Sequence, residues 1–412
     1  VNSVGRAATP IPKLAFPGLP NPVSDYIPVA RVADMLLNPG TEYDYDGEER
    51  TYPDIKIVYW CGGNPFHHHQ DINRLVKAWQ RPDTVIVHEP WWNANARHAD
   101  IILPVATTFE RNDIGSGRAD RFVFAMQKAS EPVGQSKTDY GVFSMLAENL
   151  GFGLEFTEGR DEKEWLEHMH HRFRQAATEH VEHVPTLEEL WKTGSFALPE
   201  FDPVSFLGSF REDPKKNALS TPSGKLEIFS SRISGFGYED CPGHPIWQEP
   251  SEWLGAELVS RYPLHLITNQ PKTRLHSQYD NGGYSLDHKI KEREPVTINP
   301  VDASERGIAD GDIVRLFNDR GACLAGADIS DDVMPGVIQL STGAWYDPLI
   351  PGEIGSLEVH GNPNVLTMDK GTSKLAQGPS AMSALVEVEL FKGTPPPVKI
   401  FVPPDILPEE TK

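Results

Sequence analysis

Ile55-Lys56-Ile57-Val58-Tyr59-Trp60-Cys61-Gly62-Gly63-Asn64-Pro65-Phe66-His67-His68-His69-Gln70-Asp71 holds an apolar run that stops at a Gly-Gly-Asn-Pro turn and passes into a helical pattern. A strand that ends in this way hands its backbone to a helix N-terminus. Glycines let the chain approach a phosphate, and the helix end offers free N–H groups and a positive dipole. An ordinary tight turn uses the same residues, so the stretch indicates a nucleotide or dinucleotide site without proving one.

Outward from this turn the pattern repeats. Asp71 is placed to cap a helix whose apolar residues Ile72, Leu75, Val76 and Trp79 recur at helical spacing. The run Thr84-Val85-Ile86-Val87-His88 reads as a second strand, giving a βαβ unit with a parallel pair. A third strand is predicted over 101–104 and a helix over 139–149, stopped by Gly151. Residues 55–155 therefore read as an α/β, Rossmann-like nucleotide-binding domain. Before it, residues 1–54 read as an extended, Pro-rich lead-in with one helix near 29–37. The missing initiator Met and the absence of a signal-peptide layout suggest a chain entered part-way.

Residues 156–255 read as a mostly helical linking and covering region. A charged helix is expected near 161–178 with Trp165, Leu166, Met169 and Phe173 on one face, and Thr186 to Glu189 form a capping box. From Tyr262 the texture turns to short strands at 263–268, 295–298, 312–317, 323–329, 337–340 and 384–390. Turns at this spacing suggest a compact β-barrel over 256–390. A Pro-rich tail, 391–412, follows.

Composition narrows the function classes. The chain has 412 residues and a net charge of −21, which repels nucleic acid and anionic lipid. Its three cysteines, Cys61, Cys241 and Cys323, are far apart and form no Cys-x-x-Cys pair. This argues against iron–sulfur, zinc–cysteine and disulfide frameworks. No stretch approaches a membrane helix in length. No Walker motif and no nucleophile–base pair appears.

Binding loops, in contrast, are plentiful. Gly63 and Asn64 end the first strand, and His88 ends the next, where open α/β sheets bind ligands. His67-His68-His69 fits a solvated or ligand-packing loop better than a metal site, for lack of an acidic or cysteine partner at ligand spacing. His168, His170 and His171 are expected on an exposed helix face. Glu110 and Asp113 offer carboxylates that suit a guanine edge, with a helix cap or a salt bridge as the plainer reading. The segment 269–278 is crowded with amide, guanidinium, imidazole and hydroxyl groups, as a heterocycle needs. Gly361 to Asn364 and Gly371 to Gly378 are similar polar, Gly-rich loops.

Taken in order, these segments resemble the molybdenum S- and N-oxide reductases, the dimethyl sulfoxide, trimethylamine N-oxide and biotin sulfoxide reductase family. The resemblance rests on 52–65, on 96–104 with 110–113, on 274–278, 298–303 and 343–348, and on 360–367 with 371–377. It spans roughly residues 27–390. It implies a bis(molybdopterin guanine dinucleotide)molybdenum cofactor and a barrel of the double-psi type. It further implies that Gly63, Asn64, His88 and Asp113 surround one guanosine diphosphate arm. His276, Ser277, Gln278, Asn362, Asn364 and Gln377 would surround the pterins and the other arm.

The family's molybdenum ligand lies in an N-terminal half that is absent here. The resemblance thus implies a C-terminal portion that positions the cofactor, does not ligate the metal and needs its missing half to reduce a small S-oxide or N-oxide. An electron-donor protein is a further expected partner, and family analogy favours a periplasmic location over a cytoplasmic one. The alternatives are a non-catalytic guanine-nucleotide or cofactor-binding module, and a barrel used as an interaction scaffold.

Overall fold

The computed structural model describes residues 14, 23, 25–116, 121–200 and 205–407. The prolines expected to open the lead-in, and the end of the Pro-rich tail, lie outside these residues. The chain divides into two compact units, one built on Leu103–Ile228 and the other on Asp25–Ile102 with Phe229–Lys412. This division falls elsewhere than the composition boundaries at 55, 155 and 255.

The larger unit opens with a 3-10 turn, Val29–Arg31, that leads into α1 (Val32–Leu37). Asn38-Pro39-Gly40 stops it, with Gly40 at φ +79°. The sequence reading of 1–54 missed a hairpin here. Strands β1 (Glu42–Tyr45) and β2 (Glu48–Thr51) pair antiparallel around Asp46-Gly47. Both turn residues have positive φ, 50° and 81°. This is the geometry that favours Asp-Gly in two-residue hairpins, so the signal was present in the sequence.

β3 (Ile57–Cys61) and β4 (Thr84–Glu89) then pair in parallel, with Cys61 beside His88. The crossover holds the single turn α2 (Pro65–His68) and α3 (Ile72–Trp79). Asp71 caps α3 by accepting the Arg74 N–H at 3.1 Å. Ile72, Leu75, Val76 and Trp79 are all buried, as their spacing predicts. The turn α4 (Ala94–Arg97) leads to β5 (Ile101–Pro104), the third strand in the sheet order β3-β4-β5.

The smaller unit is an antiparallel sheet, β6 (Asp113–Ser116), β7 (Phe122–Met126) and β8 (Ser195–Ala197). Its helices are α5 (Asp139–Asn149), α6 (Gly153–Thr157), α7 (Glu162–Ala177) and α8 (Leu187–Thr193). Capping boxes open α7 at Asp161 and α8 at Thr186. Val123, Phe173, Ala177, Val184, Leu190 and Leu198 form its core. His170 corrects the expectation of an exposed histidine face. It is 2% exposed and lies in the buried stripe of α7 between Leu166 and Phe173. Its offset of four from Leu166 and three from Phe173 puts it on the apolar side.

The larger unit continues into six strands, β9 (Leu264–Ile267), β10 (Pro295–Ile298), β11 (Ile313–Phe317), β12 (Ala322–Ile329), β13 (Val337–Leu340) and β14 (Ala384–Leu390). They close into a barrel in the order β10-β12-β11-β14-β9-β13. The pairs β10–β12 and β9–β13 are parallel, and the rest are antiparallel. Alternate residues point inward: Leu264 and Leu266, Val296 and Ile298, Val314 and Leu316, Val386 and Val388. The same apolar cluster reaches Phe66, Ile72, Leu75, Val85 and Val87. Each fully buried aliphatic side chain in it contributes about 1.5–3 kcal/mol, so one core ties the α/β crossover to the barrel. No helix among the described residues is long and apolar enough to cross a membrane.

Candidate functional site

At the carboxyl edge of β3, Gly62 and Gly63 adopt left-handed φ of 74° and 70°. A Cβ on either would meet nothing within 4 Å, so conformation and not crowding calls for glycine there. Asn64 follows and is buried. Its Oδ1 caps α2 by accepting the Phe66 N–H at 3.0 Å, and Pro65 fits the first helical position. Its Nδ2 is buried with no hydrogen-bond partner among the described residues. Buried amides are normally paired, so this donor stands out among the polar groups at the strand end.

The neighbouring strand end supplies His88 and Glu89, both buried. The Tyr59 hydroxyl lies 2.8 Å from His88 Nε2. Glu89 accepts Asn93 Nδ2 at 2.8 Å and Asn95 Nδ2 at 3.1 Å. Burial pushes its carboxyl up to about 7, against the pull of those two amides. The sequence places Glu89 at the strand end, but its amide clasp is set by the α4 turn and is visible only in three dimensions.

The histidine turn departs from a solvated loop. His68 is exposed, whereas His67 and His69 are buried. The cap at Asn64 winds 65–68 into a helical turn, and this rotates His67 inward onto Trp345. Both ring nitrogens of His67 and Nε2 of His69 lack hydrogen-bond partners among the described residues. Burial holds His67 at about 3 and His69 at about 4, so both rings are neutral at pH 7.

Asn362 and Asn364 fasten this turn to the barrel. Asn362 Nδ2 donates to the carbonyls of Phe66 (3.1 Å) and Ala344 (2.9 Å). Asn364 Nδ2 donates to the His67 carbonyl at 3.1 Å, and its Oδ1 accepts the Thr367 hydroxyl at 3.0 Å. Both amides are internally bonded, so their evident work is to hold the turn.

From the barrel side comes the 274–280 loop. His276, at φ +52°, presents its ring edge to His68 with centroids 5.4 Å apart. The Ser277 carbonyl accepts Trp345 Nε1 at 2.8 Å, and Gln278 is exposed. His68, His69, Gln70, Thr268, His276 and Asn364 line a cavity of about 300 Å³. Gln377 is buried and outside this lining, its Oε1 accepting Arg31 Nε at 2.9 Å.

Folding brings acidic neighbours to this loop. Arg274 pairs with Asp280 and Glu294, partners 6 and 20 residues on. No sequence periodicity joins residues that meet only when loops fold together.

Asp113 belongs to the smaller unit. It pairs with Arg111 at 2.8 Å and accepts the Ile114 N–H. Glu110 closes a capping box with Thr107 and accepts the Val133 N–H at 2.8 Å. Both plainer readings, the cap and the salt bridge, describe these carboxylates. The smaller unit has its own cleft of about 810 Å³, floored by Leu166, Leu187 and Trp191, with none of the predicted site residues in its walls. No group of three or more His, Cys, Asp or Glu among the described residues could hold a metal ion.

Comparison with known proteins fits this layout. Residues 19–149 match the molybdopterin oxidoreductase family, and residues 264–385 match the molydopterin dinucleotide binding domain. The chain is 49% identical over 386 residues to a dimethyl sulfoxide/trimethylamine N-oxide reductase of Cereibacter sphaeroides, covering 92% of this chain and 46% of the relative. It is 47% identical over 380 residues to a biotin sulfoxide reductase of the same organism, covering 92% and 50%. A trimethylamine-N-oxide reductase of Haemophilus influenzae is 45% identical over 391 residues, covering 92% and 46%. The chain thus spans about half the length of the curated relatives it matches. Among solved structures, acetylene hydratase from Pelobacter acetylenicus superposes with a TM-score of 0.64 at 21% identity, covering 82% of this chain and 45% of that one. That likeness concerns the fold alone.

Proposed function

This chain carries the molybdopterin oxidoreductase and molydopterin dinucleotide binding domains of the dimethyl sulfoxide reductase family, and on that premise we propose that it is the cofactor-positioning C-terminal portion of an enzyme that reduces S-oxides or N-oxides. In this reading the α/β crossover is Rossmann-like and the barrel is of the double-psi type. The reducing activity needs the remainder of a full-length enzyme and an electron donor.

The observation that carries the proposal is the Asn64 amide. A buried donor without a partner among the described residues stands behind two left-handed glycines at the carboxyl end of a parallel strand pair. Those residues fit a dinucleotide. The Gly62 and Gly63 backbone can lie against a pyrophosphate without a side chain in the way, and Asn64 Nδ2 can donate to it. His88, beside them on the next strand, is proposed for the nucleoside of that arm. His276, Ser277 and Gln278, with His68 and His69, are proposed to face the pterins. Asn362 and Asn364 hold the histidine turn in register for them, and Gln377 is proposed for the second arm.

When bound, the bis(molybdopterin guanine dinucleotide)molybdenum group supplies two-electron oxygen-atom transfer. The protein's part follows from its own groups. His67 and His69 stay neutral at pH 7, so this turn would offer the group no positive charge from these two rings. The apolar cluster behind the turn keeps water from its inner side.

The test is molybdenum analysis and acid release of guanine nucleotide from the full-length protein, followed by viologen-linked reduction of dimethyl sulfoxide and trimethylamine N-oxide. About two guanine nucleotides per molybdenum are expected for a bis-dinucleotide cofactor. Loss of both metal and nucleotide overturns the reading. Nucleotide without any reductase activity favours a non-catalytic binding module.

A further inference from the structure

Behind the His276 turn lie four charged side chains that the proposed function does not use. Arg274, Lys289, Asp280 and Glu294 are 1%, 2%, 0% and 5% exposed. They alternate in a closed ring. Arg274 reaches Asp280 at 3.3 Å and Glu294 at 3.2 Å, and Lys289 reaches the same two at 2.8 and 2.9 Å. Two positive and two negative charges leave the ring neutral.

Stability alone is a poor account of such a ring. Desolvating four ions offsets most of their attraction, and apolar residues of similar volume commonly do as well. Besides the Ser285 hydroxyl, which bridges Arg274 and Asp280, the ring makes hydrogen bonds to the backbone of the site, and these point to a different role. Arg274 Nε donates to the His276 carbonyl at 3.1 Å, and Nη2 donates to the Thr342 carbonyl at 3.2 Å. Asp280 accepts the Trp345 N–H at 2.8 Å. Trp345 in turn holds the Ser277 carbonyl. His276 and Tyr279 are both left-handed without being glycine, at φ 52° and 60°. Residues in that region persist where their surroundings over-determine them.

We propose that Arg274 is a positioning residue, which with Asp280, Lys289 and Glu294 fixes the height and orientation of the His276–Ser277–Gln278 turn over the cofactor cavity. This rests on the cofactor reading given above. The planar guanidinium can donate in three directions at once, to His276, Thr342 and the carboxylates. A lysine ammonium on a flexible stem cannot reproduce that fork.

The experiment uses the full-length enzyme and compares Arg274→Lys, Trp345→Phe and a control, Arg261→Gln. Arg261 pairs with Asp319 on an exposed surface. Trp345→Phe keeps an aromatic ring and removes the N–H that holds Ser277 together with part of the indole, so it probes the same turn if Arg274→Lys fails to fold. The readouts are the thermal midpoint, the molybdenum and guanine nucleotide content, and the rate of nucleotide release well below the midpoint.

Release about tenfold faster in Arg274→Lys and Trp345→Phe is expected, with midpoints near the parent's and an unchanged control. Parental release rates in loaded variants overturn the positioning role and leave the cofactor reading standing. Midpoint and retention falling together in both variants overturn it in favour of a folding role. A parent enzyme without molybdenum or guanine nucleotide overturns the cofactor reading itself, and this proposal with it.

Discussion

The His67 imidazole lies flat against the Trp345 indole, with ring centroids 5.8 Å apart and planes 15° from parallel. The two residues come from different parts of the larger unit, one from the α/β crossover and one from the loop after the last parallel barrel strand. Trp345 also holds Ser277 and is held by Asp280. A single aromatic pair therefore couples the histidine turn to the turn that presents His276.

This stack makes stability depend on acid. His67 and His360 are held at about 3 and His69 at about 4, chiefly by burial, against an unfolded value near 6.5. Their folded values are lowered, so the unfolded chain binds protons first. The stabilisation is full above about pH 6.5 and is lost as pH falls toward 4. Each group adds up to about 1.4 kcal/mol per pH unit to the slope. His67→Phe removes one such proton and loses no hydrogen bond to the described residues, among which neither ring nitrogen has a partner. Urea unfolding between about pH 6 and 4.5 should show a slope shallower by about 1.4 kcal/mol per unit. An unchanged slope would mean that His67 is protonated in the folded protein.

Asn64 separates capping from binding. Asn64→Asp keeps an oxygen for the Phe66 N–H, so α2 should stay capped and the unfolding free energy should shift by less than about 1 kcal/mol. The same change replaces the free Nδ2 donor with a negative oxygen where a pyrophosphate is proposed. Guanine nucleotide retained by the full-length enzyme should drop by about tenfold or more. Retention equal to the parent's would remove Asn64 from the site.

Much of this was readable because it depends on local period. The α3 residues Ile72, Leu75, Val76 and Trp79 sit at helical spacing, and all face one core. The barrel strands alternate, and Val314 and Leu316 or Val386 and Val388 point inward as alternation requires. Asn64 was placed by its turn chemistry. What escaped was decided by contacts distant in sequence. His67 turns inward because Trp345 and Asn364 lie behind it. Asp280 and Glu294 gather around Arg274 through loops without a period. The β1–β2 hairpin was different in kind, since Asp46-Gly47 was a usable signal that the Pro-rich surroundings obscured.

Glu358 organises the loop that carries Asn362. One carboxylate oxygen accepts the N–H groups of Asp347 (3.2 Å) and His360 (3.0 Å), and the other accepts those of Gly361 (2.7 Å) and Asn362 (2.9 Å). Glu358→Gln puts an NH₂ on one side, and whichever side it takes, two backbone donors then face a donor. Each unsatisfied buried donor costs about 1–3 kcal/mol, so a loss of about 2–6 kcal/mol is expected in the unfolding free energy. A variant within about 0.5 kcal/mol of the parent would show that the loop has another way to bond.

Two glycines with similar backbones should respond to different degrees. Gly343 is at φ +90°, and a Cβ there would overlap the His276 carbonyl and come within 3.0 Å of the Ser277 nitrogen. Those atoms are backbone, so they cannot swing aside as a side-chain end would. Gly62 is at φ +74°, but a Cβ there meets nothing. Gly62→Ala should therefore cost only the left-handed strain, about 1–2 kcal/mol, yet project a methyl toward the proposed pyrophosphate and lower nucleotide retention. Gly343→Ala should add a clash to the same strain and cost about 3 kcal/mol or more. Denaturant unfolding of the two variants, alongside their guanine nucleotide content, orders the effects. Equal stability losses would mean that the 343 loop does not press on the His276 turn, and the coupling of the two turns through Trp345 would then have to act alone.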